Sequence, residues 1–464
     1  MKKRMGIVAI MLTTGLAGVS FHHQPLQAQT ISPVTAEEAK RPVAPQTIRE
    51  GELLTLDKVV AITRLNQPAI LAAQGNVNAS ESRVGQARAP YYPQINGSAG
   101  YDRLSPEGTL YGTTDDRAYN RLAMGIRGEQ MLYDFGKTTN QVEIRNTSLE
   151  AARSDLNATD DRAVFNAKLA YYDMLKIGRD QEVAAETVKQ FEQHLEQAKG
   201  FYAAGVKPKY DVTKAEVDLS SARLVQIQVK NNLRLARVVL NNAMGLPNAP
   251  EYKLEDNLTF LPYTLPFDQA LKMALSHRPD LKALMLKKKA AQQTVDLARK
   301  SDAPTLSGNA GAGYSGDADT MDEGWSVGIT LAVPLFNGHL TRHKVGEAQA
   351  IADILTAEET LLRQTIHKEV QQSYLNLQEA EERIDATKLA TQQAQENSQI
   401  ASGRYKAGVG SPVEVTDADT LLVQAKANYI QALYDYRIAQ TSIEQAIGSG
   451  GETDLTTTAE EIIP

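Results

Sequence analysis

The residues with the clearest metal-binding spacing are His339, His343 and Glu347. The two histidines lie four positions apart and the glutamate follows one helical turn later, so one face of a helix would present three zinc ligands. The same residues also fit the polar first turn of a long helix near a membrane interface. We favour this second interpretation, and we predict no bound metal ion and no cofactor.

A second candidate group consists of Glu414 and Asp417, which lie one helical turn apart on one face. By themselves they fit a solvated helix start, where the helix dipole favours acidic side chains. The segment Gly311-Ala-Gly313 lies in a strand pattern with no phosphate loop after it, so it is not a nucleotide-binding signal. The chain has no cysteine, which excludes disulfides and cysteine nucleophiles. We therefore predict that the protein is not an enzyme.

The start of the 464-residue chain is typical of a secreted protein. Basic residues at 2–4 precede an apolar run from 5 to about 21, and the small residue Ala28 follows, which predicts a signal peptide at 1–28. A membrane anchor is the competing interpretation, but about 17 apolar residues is the lower limit for a span. Removing the three basic residues changes the formal net charge from −7 to −10, which disfavours nucleic acid as a partner.

The strongest pattern is an internal duplication. Pro68 and Pro279 lie 211 positions apart, whereas Tyr202 and Tyr405 lie 203 apart. The change needs a single eight-residue length difference, which falls between positions 93 and 132. We predict a loosely attached N-terminal arm at 29–52, a first repeat at 53–248, a connector at 249–264, a second repeat at 265–448 and a C-terminal tail at 449–464.

Long proline-free segments in both repeats predict helices. In the second repeat, alternating steps of four and three residues connect Ala418, Leu422, Ala425, Tyr429, Ala432, Tyr436, Ala439, Ile443 and Ala446. A 3.5-residue apolar period is typical of a coiled coil, and the alanines allow close approach of the helices. A helix from about Lys137 to Lys199 would be roughly 95 Å long. We predict one helical hairpin per repeat, with turns at about 202–211 and 405–414.

Between the helices, four segments alternate apolar residues with small or polar ones, as in strands with one apolar face. The clearest segment contains Trp325, Val327, Ile329, Leu331 and Val333. We predict β-hairpins at about 93–135 and 304–336. An ordinary soluble sheet is one interpretation, and an outer-membrane β-barrel is the other.

Aromatic residues favour the barrel, because they mark both ends of the strands as two belts. They are Tyr91, Tyr92, Tyr133, Phe135 and Phe336 on the helix side, and Tyr101, Tyr119, Tyr314 and Trp325 on the other. Four strands cannot close a membrane barrel, and open edges in lipid leave backbone groups unpaired. Three protomers would supply twelve strands, within the range of such barrels.

Taken together, these features resemble the TolC family of outer-membrane efflux proteins over nearly the whole mature chain. The resemblance rests on the duplication and on three pairs of equivalent motifs in the two repeats. The pairs are Asn66-Gln67-Pro68 with His277-Arg278-Pro279, Leu132-Tyr133-Asp134-Phe135-Gly136 with Leu335-Phe336-Asn337-Gly338, and Tyr202-Ala-Ala-Gly205-Val206 with Tyr405-Lys-Ala-Gly408-Val409. The order and spacing of these motifs are more specific than any one of them.

The resemblance implies a mainly α protein with membrane β-strands: a homotrimer whose 12-stranded outer-membrane β-barrel continues as an α-helical coiled-coil tunnel across the periplasm of a Gram-negative bacterium. It implies an exit duct for multidrug efflux or type I secretion. The implied partners are a periplasmic adaptor, an inner-membrane RND, ABC or MFS transporter, and outer-membrane lipid. The alternatives are a periplasmic adaptor and a structural coiled-coil protein. Nothing in the sequence identifies the cargo or the pump.

The resemblance also implies roles for individual residues. Glu414 and Asp417 match carboxylates that line a periplasmic constriction, so a trimer would hold a cation-binding, electronegative closed gate. Tyr405 and Asp211 match a hydrogen-bonded pair that keeps the helices closed. Gly410 departs from the pattern, because the family's best-known member has a latch arginine there. The turns expected to face the adaptor and pump contain Gly205, Val206, Gly408 and Val409.

Overall fold

A computed structural model describes residues 48–104, 119–317 and 320–448. The predicted signal peptide at 1–28, the arm up to residue 47 and the tail at 449–464 lie outside these ranges. Within the described ranges, the chain forms eight α-helices and six β-strands.

Equivalent helices of the two units have equal lengths of 11, 21, 67 and 35 residues. The first unit contains α1 (Leu56–Asn66), α2 (Pro68–Arg88), α3 (Lys137–Ala203) and α4 (Lys209–Ala243). The second unit contains α5 (Phe267–His277), α6 (Pro279–Arg299), α7 (Leu340–Lys406) and α8 (Pro412–Ala446). Pro68 and Pro279 are the first residues of α2 and α6. Proline has no backbone N–H, and at the first position of a helix an N–H would have no hydrogen-bond partner within the helix. At 1.5 Å per residue, α3 and α7 are each about 100 Å long.

The strands form two sheets. They are β1 (Glu52–Leu54), β2 (Gln94–Leu104), β3 (Tyr119–Tyr133), β4 (Tyr252–Leu254), β5 (Thr305–Asp317) and β6 (Thr320–Ala332). The larger sheet is antiparallel, in the order β2-β3-β5-β6. Within the described chain, β2 and β6 are its edges, and each is paired on one side only.

One face of the larger sheet is apolar across all four strands. Ile126 pairs with Gly97 on one side and with Ala312 on the other, and Ala312 pairs in turn with Trp325. Directly paired residues share a face. The exposed apolar side chains on this face include Ile95, Tyr101, Met124, Ile126, Trp325, Val327 and Ile329. The opposite face carries Asn96, Arg127 and Ser326.

The long helices pack side by side in a layer. α3 packs against α4 on one side and α8 on the other, and α8 packs against α7. Nearer the larger sheet, α6 lies between α3 and α7, and α2 packs on α3. The repeating apolar positions of α8 face its neighbours, with Tyr436 and Ile443 fully buried and Tyr429 half-buried. The layer therefore ends in α4 on one side and α7 on the other.

The ends of α4 and α8 dock in the same way on the breaks between the short helices. Gln67 donates to the carbonyl of Ala243 at 2.8 Å, and its equivalent Arg278 donates to that of Ala446 at 3.4 Å. Gly245 follows α4 with φ of +74°, and a Cβ there would lie 2.5 Å from a carbonyl oxygen of the α1–α2 junction. Only glycine fits this approach.

The end of the predicted arm differs from the expectation. A loose segment is predicted for 29–52, yet Ile48 is buried and Glu52 begins β1. β1 pairs in parallel with β4, so that Glu52 lies opposite Tyr252 of the predicted connector. Each strand has only three residues, too few to show an alternating pattern. The pairing therefore could not be read from the sequence.

Among the helices of the described ranges, none combines the length and the apolar character needed to cross a lipid bilayer.

Candidate functional site

Two glycine turns join the long helices at the end far from the larger sheet. We call residues 204–208 the first tip and residues 407–411 the second tip. Gly205 and Gly408 have φ of +73° and +79°, a left-handed conformation that favours glycine. The next residues, Val206 and Val409, return their backbone N–H to carbonyls of the preceding helix at 3.0 and 3.1 Å. Their side chains are exposed, which leaves an apolar group at each tip.

The two predicted gate carboxylates lie on one exposed face of α8. Glu414 is in the first turn, and its carboxylate lies 3.5 Å from the guanidinium of Arg404 at the end of α7. Asp417 is exposed, and its side chain has no hydrogen bond or ion pair with any residue in the described ranges. The face therefore carries one carboxylate that is already paired and one that is free to act on ions.

The predicted latch residues meet at a small cavity between the helices. Tyr405 is 3% exposed and Asp211 is 4% exposed, and both line a cavity of about 20 Å³. In the described part of the chain, neither the Tyr405 hydroxyl nor Oδ2 of Asp211 makes a hydrogen bond of good geometry, although the two side chains are close enough for a weak one. Burial, then the negative charge of Asp211 and a hydrogen bond to its side chain, raise the pKa of Tyr405, so its hydroxyl keeps its proton.

One side chain of the first tip reaches across to the second. Lys207 donates Nζ to the carbonyl of Gly410 at 3.3 Å, and the same nitrogen lies 5.7 Å from the centre of the Tyr405 ring. This distance is in the range of a cation–π interaction. Phe201 meets the same ring edge-on, with 5.7 Å between the centroids. The two tips are therefore joined by contacts that no pattern in the sequence predicts.

The tip backbone leaves no room for a side chain at Gly410. A Cβ at this position would lie 2.7 Å from the backbone nitrogen of Tyr405 and 2.9 Å from the carbonyl carbon of Arg404. Both are backbone atoms, so any larger residue, arginine included, would force the tip to move. Two cations lie beside this position instead: Lys207 on its carbonyl and Arg404 against Glu414.

A buried polar cluster lies next to the cavity, on the side away from the tips. Asp419 of α8 is 2% exposed and accepts hydrogen bonds from Gln190 at 2.7 Å and from Ser398 at 2.6 Å. Its second oxygen lies 3.0 Å from Nε2 of His194. One carboxylate therefore connects α3, α7 and α8. No sequence pattern marks this cluster, because polar residues on long helices usually face solvent.

The histidine pair weighed as a metal site does not form one. His339 has φ of +64° and precedes α7, whereas His343 lies inside that helix. Across the described ranges, no three His, Asp or Glu side chains come together as a metal-binding group.

Comparison with known proteins identifies the architecture that carries these tips. The sequence profile of the family "Outer membrane efflux protein" matches residues 59–246 and 270–449, one match in each unit. The chain belongs to the outer membrane efflux protein family. This confirms the resemblance to TolC, and it confirms that the protein is an export channel of the Gram-negative outer membrane and not an enzyme. The periplasmic adaptor and the structural coiled coil are thereby set aside.

Relatives of this outer membrane efflux protein align over most of its length. CyaE of Bordetella pertussis is 25% identical over 438 residues, which cover 89% of this chain and 88% of CyaE. TolC of Escherichia coli is 24% identical over 428 residues, which cover 86% of this chain and 83% of TolC.

Solved structures share its fold. The CmeC outer membrane channel of Campylobacter jejuni superposes with a TM-score of 0.76 at 18% identity, covering 86% of this chain and 87% of CmeC. VceC of Vibrio cholerae gives 0.73 at 19% identity, covering 86% of this chain and 97% of VceC.

Proposed function

We propose that three copies of this chain close into one export channel, with a 12-stranded barrel in the outer membrane and a helical tunnel below it. The observation that carries the proposal is that the described sheet ends in two edge strands, β2 and β6, each of which is paired on one side only. In lipid, each unpaired backbone group costs several kcal/mol. Head-to-tail pairing of β6 with β2 of the next copy removes every edge once the ring closes.

The helical layer supports the same closure. Its outer helices, α4 and α7, expose apolar side chains at spacings of seven residues or multiples of seven. On α4 these are Val217, Leu224 and Val238, and on α7 they are Ile354, Leu361, Leu375 and Leu389. Such a stripe is the seam of a coiled coil. The edge helix of a neighbouring copy is the partner that covers it.

The tips form the periplasmic gate of this channel. In the trimer, the exposed faces bearing Glu414 and Asp417 converge around the axis and bind cations in the closed state. Asp417 contributes the larger part of the negative field, because Arg404 partly neutralises Glu414. Opening requires the tips to separate, so the contacts between them set how tightly the channel closes.

Tyr405 and Asp211 act as the latch of the closed gate. Both are buried at one cavity between α4 and α7, so moving the helices apart would expose them to water. A Tyr405→Phe variant removes the hydroxyl and keeps the ring packed on Phe201. We expect it to raise leakage of a large antibiotic, and unchanged uptake would refute the latch.

The partners of the channel are a periplasmic adaptor and an inner-membrane pump of the RND, ABC or MFS class. They dock at the tips, where Gly205 and Gly408 shape the turns and Val206 and Val409 present exposed apolar side chains. The cargo consists of small molecules, such as drugs and toxic compounds, or of proteins.

The decisive experiment is the mass of the protein extracted from outer membranes in mild detergent, with the detergent contribution subtracted. A trimer of the processed chain is expected. Leu375→Glu places a charge in the exposed α7 stripe and should shift the protein towards monomer, whereas Asn376→Asp, which is exposed but about 100° around the helix from the stripe, should leave the trimer intact. A monomeric unaltered protein, or a trimer insensitive to Leu375→Glu, would contradict the closure.

A further inference from the structure

The start of α7 carries basic residues that the equivalent helix of the first unit lacks. Arg342, His343 and Lys344 follow one another near the first turn of α7, and all three are exposed. At the equivalent positions of α3, 203 residues earlier, the chain has Thr139, Asn140 and Gln141. The two helices have the same length of 67 residues, so the fold itself does not require the charge on α7.

The end of α2 differs from its counterpart in a related way. Arg88 is the last residue of α2, and the equivalent Arg299 is the last residue of α6. Arg299 forms an ion pair with Asp296 at 3.2 Å, whereas the position equivalent to Asp296 in α2 is Gly85. The arginine of α6 therefore has an acidic neighbour on its own helix, and the arginine of α2 does not.

These cations have no partner of their own. Arg88, Arg342 and Lys344 make no hydrogen bond or ion pair with any residue in the ranges that the structure describes. Two basic residues of the helices between them are bonded, since Lys137 donates to a backbone carbonyl at 2.6 Å and Lys300 to a side-chain amide oxygen at 3.2 Å. We call Arg88, Arg342 and Lys344 the unpaired basic group.

The helices that carry this group lie at opposite edges of one copy. α2 leads into β2 and β6 leads into α7, and β2 and β6 are the two edges of the described sheet. α3 and α6 lie between α2 and α7. In the trimer proposed above, β6 pairs with β2 of the next copy. This pairing brings the start of α7 beside the end of α2 of that copy, so the basic group meets at each subunit boundary.

Aromatic side chains place this boundary at the surface of the membrane. Tyr91 and Tyr92 follow α2, Phe336 precedes α7 by four residues, and all three are exposed. Such belts mark the level where hydrocarbon meets the headgroups. At 1.5 Å per residue, Lys344 lies only about 6 Å beyond the start of α7. Long basic side chains at this depth reach the phosphates of the periplasmic leaflet.

The nearby acidic residues do not neutralise the group. Asp302 accepts hydrogen bonds from Asn337 and Thr341, each at 2.6 Å, and Glu347 forms no ion pair with the basic group in the described chain. Like charges brought together at a subunit boundary repel one another, which weakens assembly unless an anion lies between them. A zwitterionic headgroup would add an ammonium to three cations, so a headgroup of net negative charge fits better.

We propose that an anionic phospholipid of the periplasmic leaflet binds at each subunit boundary and holds neighbouring copies together. Arg342 and Lys344 of one copy and Arg88 of the next bind its phosphate, and its acyl chains lie along the apolar face of the sheet. Arginine suits this role because its planar guanidinium can bind a phosphate through two hydrogen bonds. The inference rests on the proposed trimer and adds a lipid ligand to it.

Lipid binding to the purified trimer tests the site. Native mass spectrometry would compare phosphatidylglycerol with phosphatidylethanolamine of the same acyl chains, and we expect the unaltered trimer to prefer phosphatidylglycerol. The double variant Arg342→Gln, Lys344→Gln should bind it roughly 25-fold more weakly, at about fivefold for each cation. Lys368→Gln, Lys388→Gln removes the same charge from exposed positions farther along α7 and is the matched control.

Two results of this comparison would overturn the inference. One is equal binding of both lipids by the unaltered trimer, and the other is equal affinity of the double variant and its control for phosphatidylglycerol. Both leave the trimer in place. An unaltered protein that is monomeric would instead refute the closure, and the lipid site with it.

Thermal unfolding of the unaltered trimer gives a second test, which holds even if the variants fail to assemble. A ligand that binds only the assembled protein raises its thermal midpoint. Phosphatidylglycerol should therefore raise the midpoint, whereas inorganic phosphate at the same concentration should not, because it lacks the acyl chains. An equal rise with inorganic phosphate, or no rise with phosphatidylglycerol, would contradict a lipid site.

Discussion

Asp417 and Asp419 are two residues apart on α8, yet they lie on opposite sides of the helix. Asp417 is exposed, whereas Asp419 is 2% exposed and bonded to α3 and α7. Two residues span about 200° around an α-helix, which explains the separation. The first aspartate is therefore available to ions in the channel, and the second holds the helices together.

Asp417 should dominate cation binding at the closed gate. We expect Asp417→Asn to weaken cation block of single-channel conductance more than Glu414→Gln does, because Arg404 already lies 3.5 Å from Glu414. One charge pair at about 4 Å in water is worth about 1 kcal/mol, or roughly fivefold in affinity. Arg404→Ala should strengthen the block. Unchanged conductance in a Glu414→Ala, Asp417→Ala double variant would count against a carboxylate gate.

Lys207 should contribute to gate closure. Lys207→Met keeps the apolar stem and removes the charge that faces the Tyr405 ring and the Gly410 carbonyl. A partly exposed cation–π contact is worth about 0.5–1 kcal/mol, so uptake of a large antibiotic should rise about two- to fivefold. Lys209→Met, at the exposed start of α4, is the matched control. Equal uptake in both variants would exclude a bridge between the tips.

Gly410 should tolerate no side chain. Gly410→Ala places a methyl group against the backbone of Arg404 and Tyr405, so it should raise leakage and lower the thermal midpoint of the trimer. Gly403→Ala is the control, since a Cβ there meets nothing within 4 Å. That change should stabilise α7 by about 0.5–1 kcal/mol. A neutral Gly410→Ala would show that the tip backbone adjusts freely.

Asp161 should make stability depend on pH. Burial, and then the charge of Asp160, raise the pKa of Asp161 to about 6 from its ordinary value of 3.8. The folded state then holds a proton that the unfolded state releases, so stability falls as pH rises from about 4 to 6. Asp161→Asn removes this loss and should stabilise the protein at pH 7.5 by about 1 kcal/mol after solvent screening, with no gain at pH 4.

Thermal unfolding of the trimer at both pH values measures this difference. Asp385→Asn, on the exposed face of α7, serves as the control and should change neither midpoint. A gain at pH 4 equal to that at pH 7.5 would mean that Asp161 acts through packing and not through its charge.

The sequence predicts well those features that repeat along the chain. The α8 seam contains Ala418 and Ile443 as predicted, and both are buried. The strand alternation placed Ile126 and Trp325 on one face, and the pairing register agrees. A periodic pattern can be recognised in the sequence because many residues contribute to it, so one polar exception does not obscure it.

Single contacts between distant residues could not be predicted. Lys207 and Tyr405 are nearly 200 positions apart, and no local pattern marks either as a partner of the other. The same holds for His194 and Asp419, whose burial depends on how α3 and α8 pack. The family resemblance pointed to Tyr405 and Asp211 but not to the cavity between them, because a cavity is formed by the packed helices and not by any one residue.

The equal lengths of α3 and α7, and of α4 and α8, restrict how such a chain can change in evolution. An insertion of one residue in α7 alone would rotate every later side chain by about 100° and shift it by about 1.5 Å, taking Tyr405 away from Phe201. We therefore expect insertions and deletions among its relatives to occur in both units together, in steps of about seven residues. Insertions and deletions that occur in only one unit should be confined to the segments that connect strands.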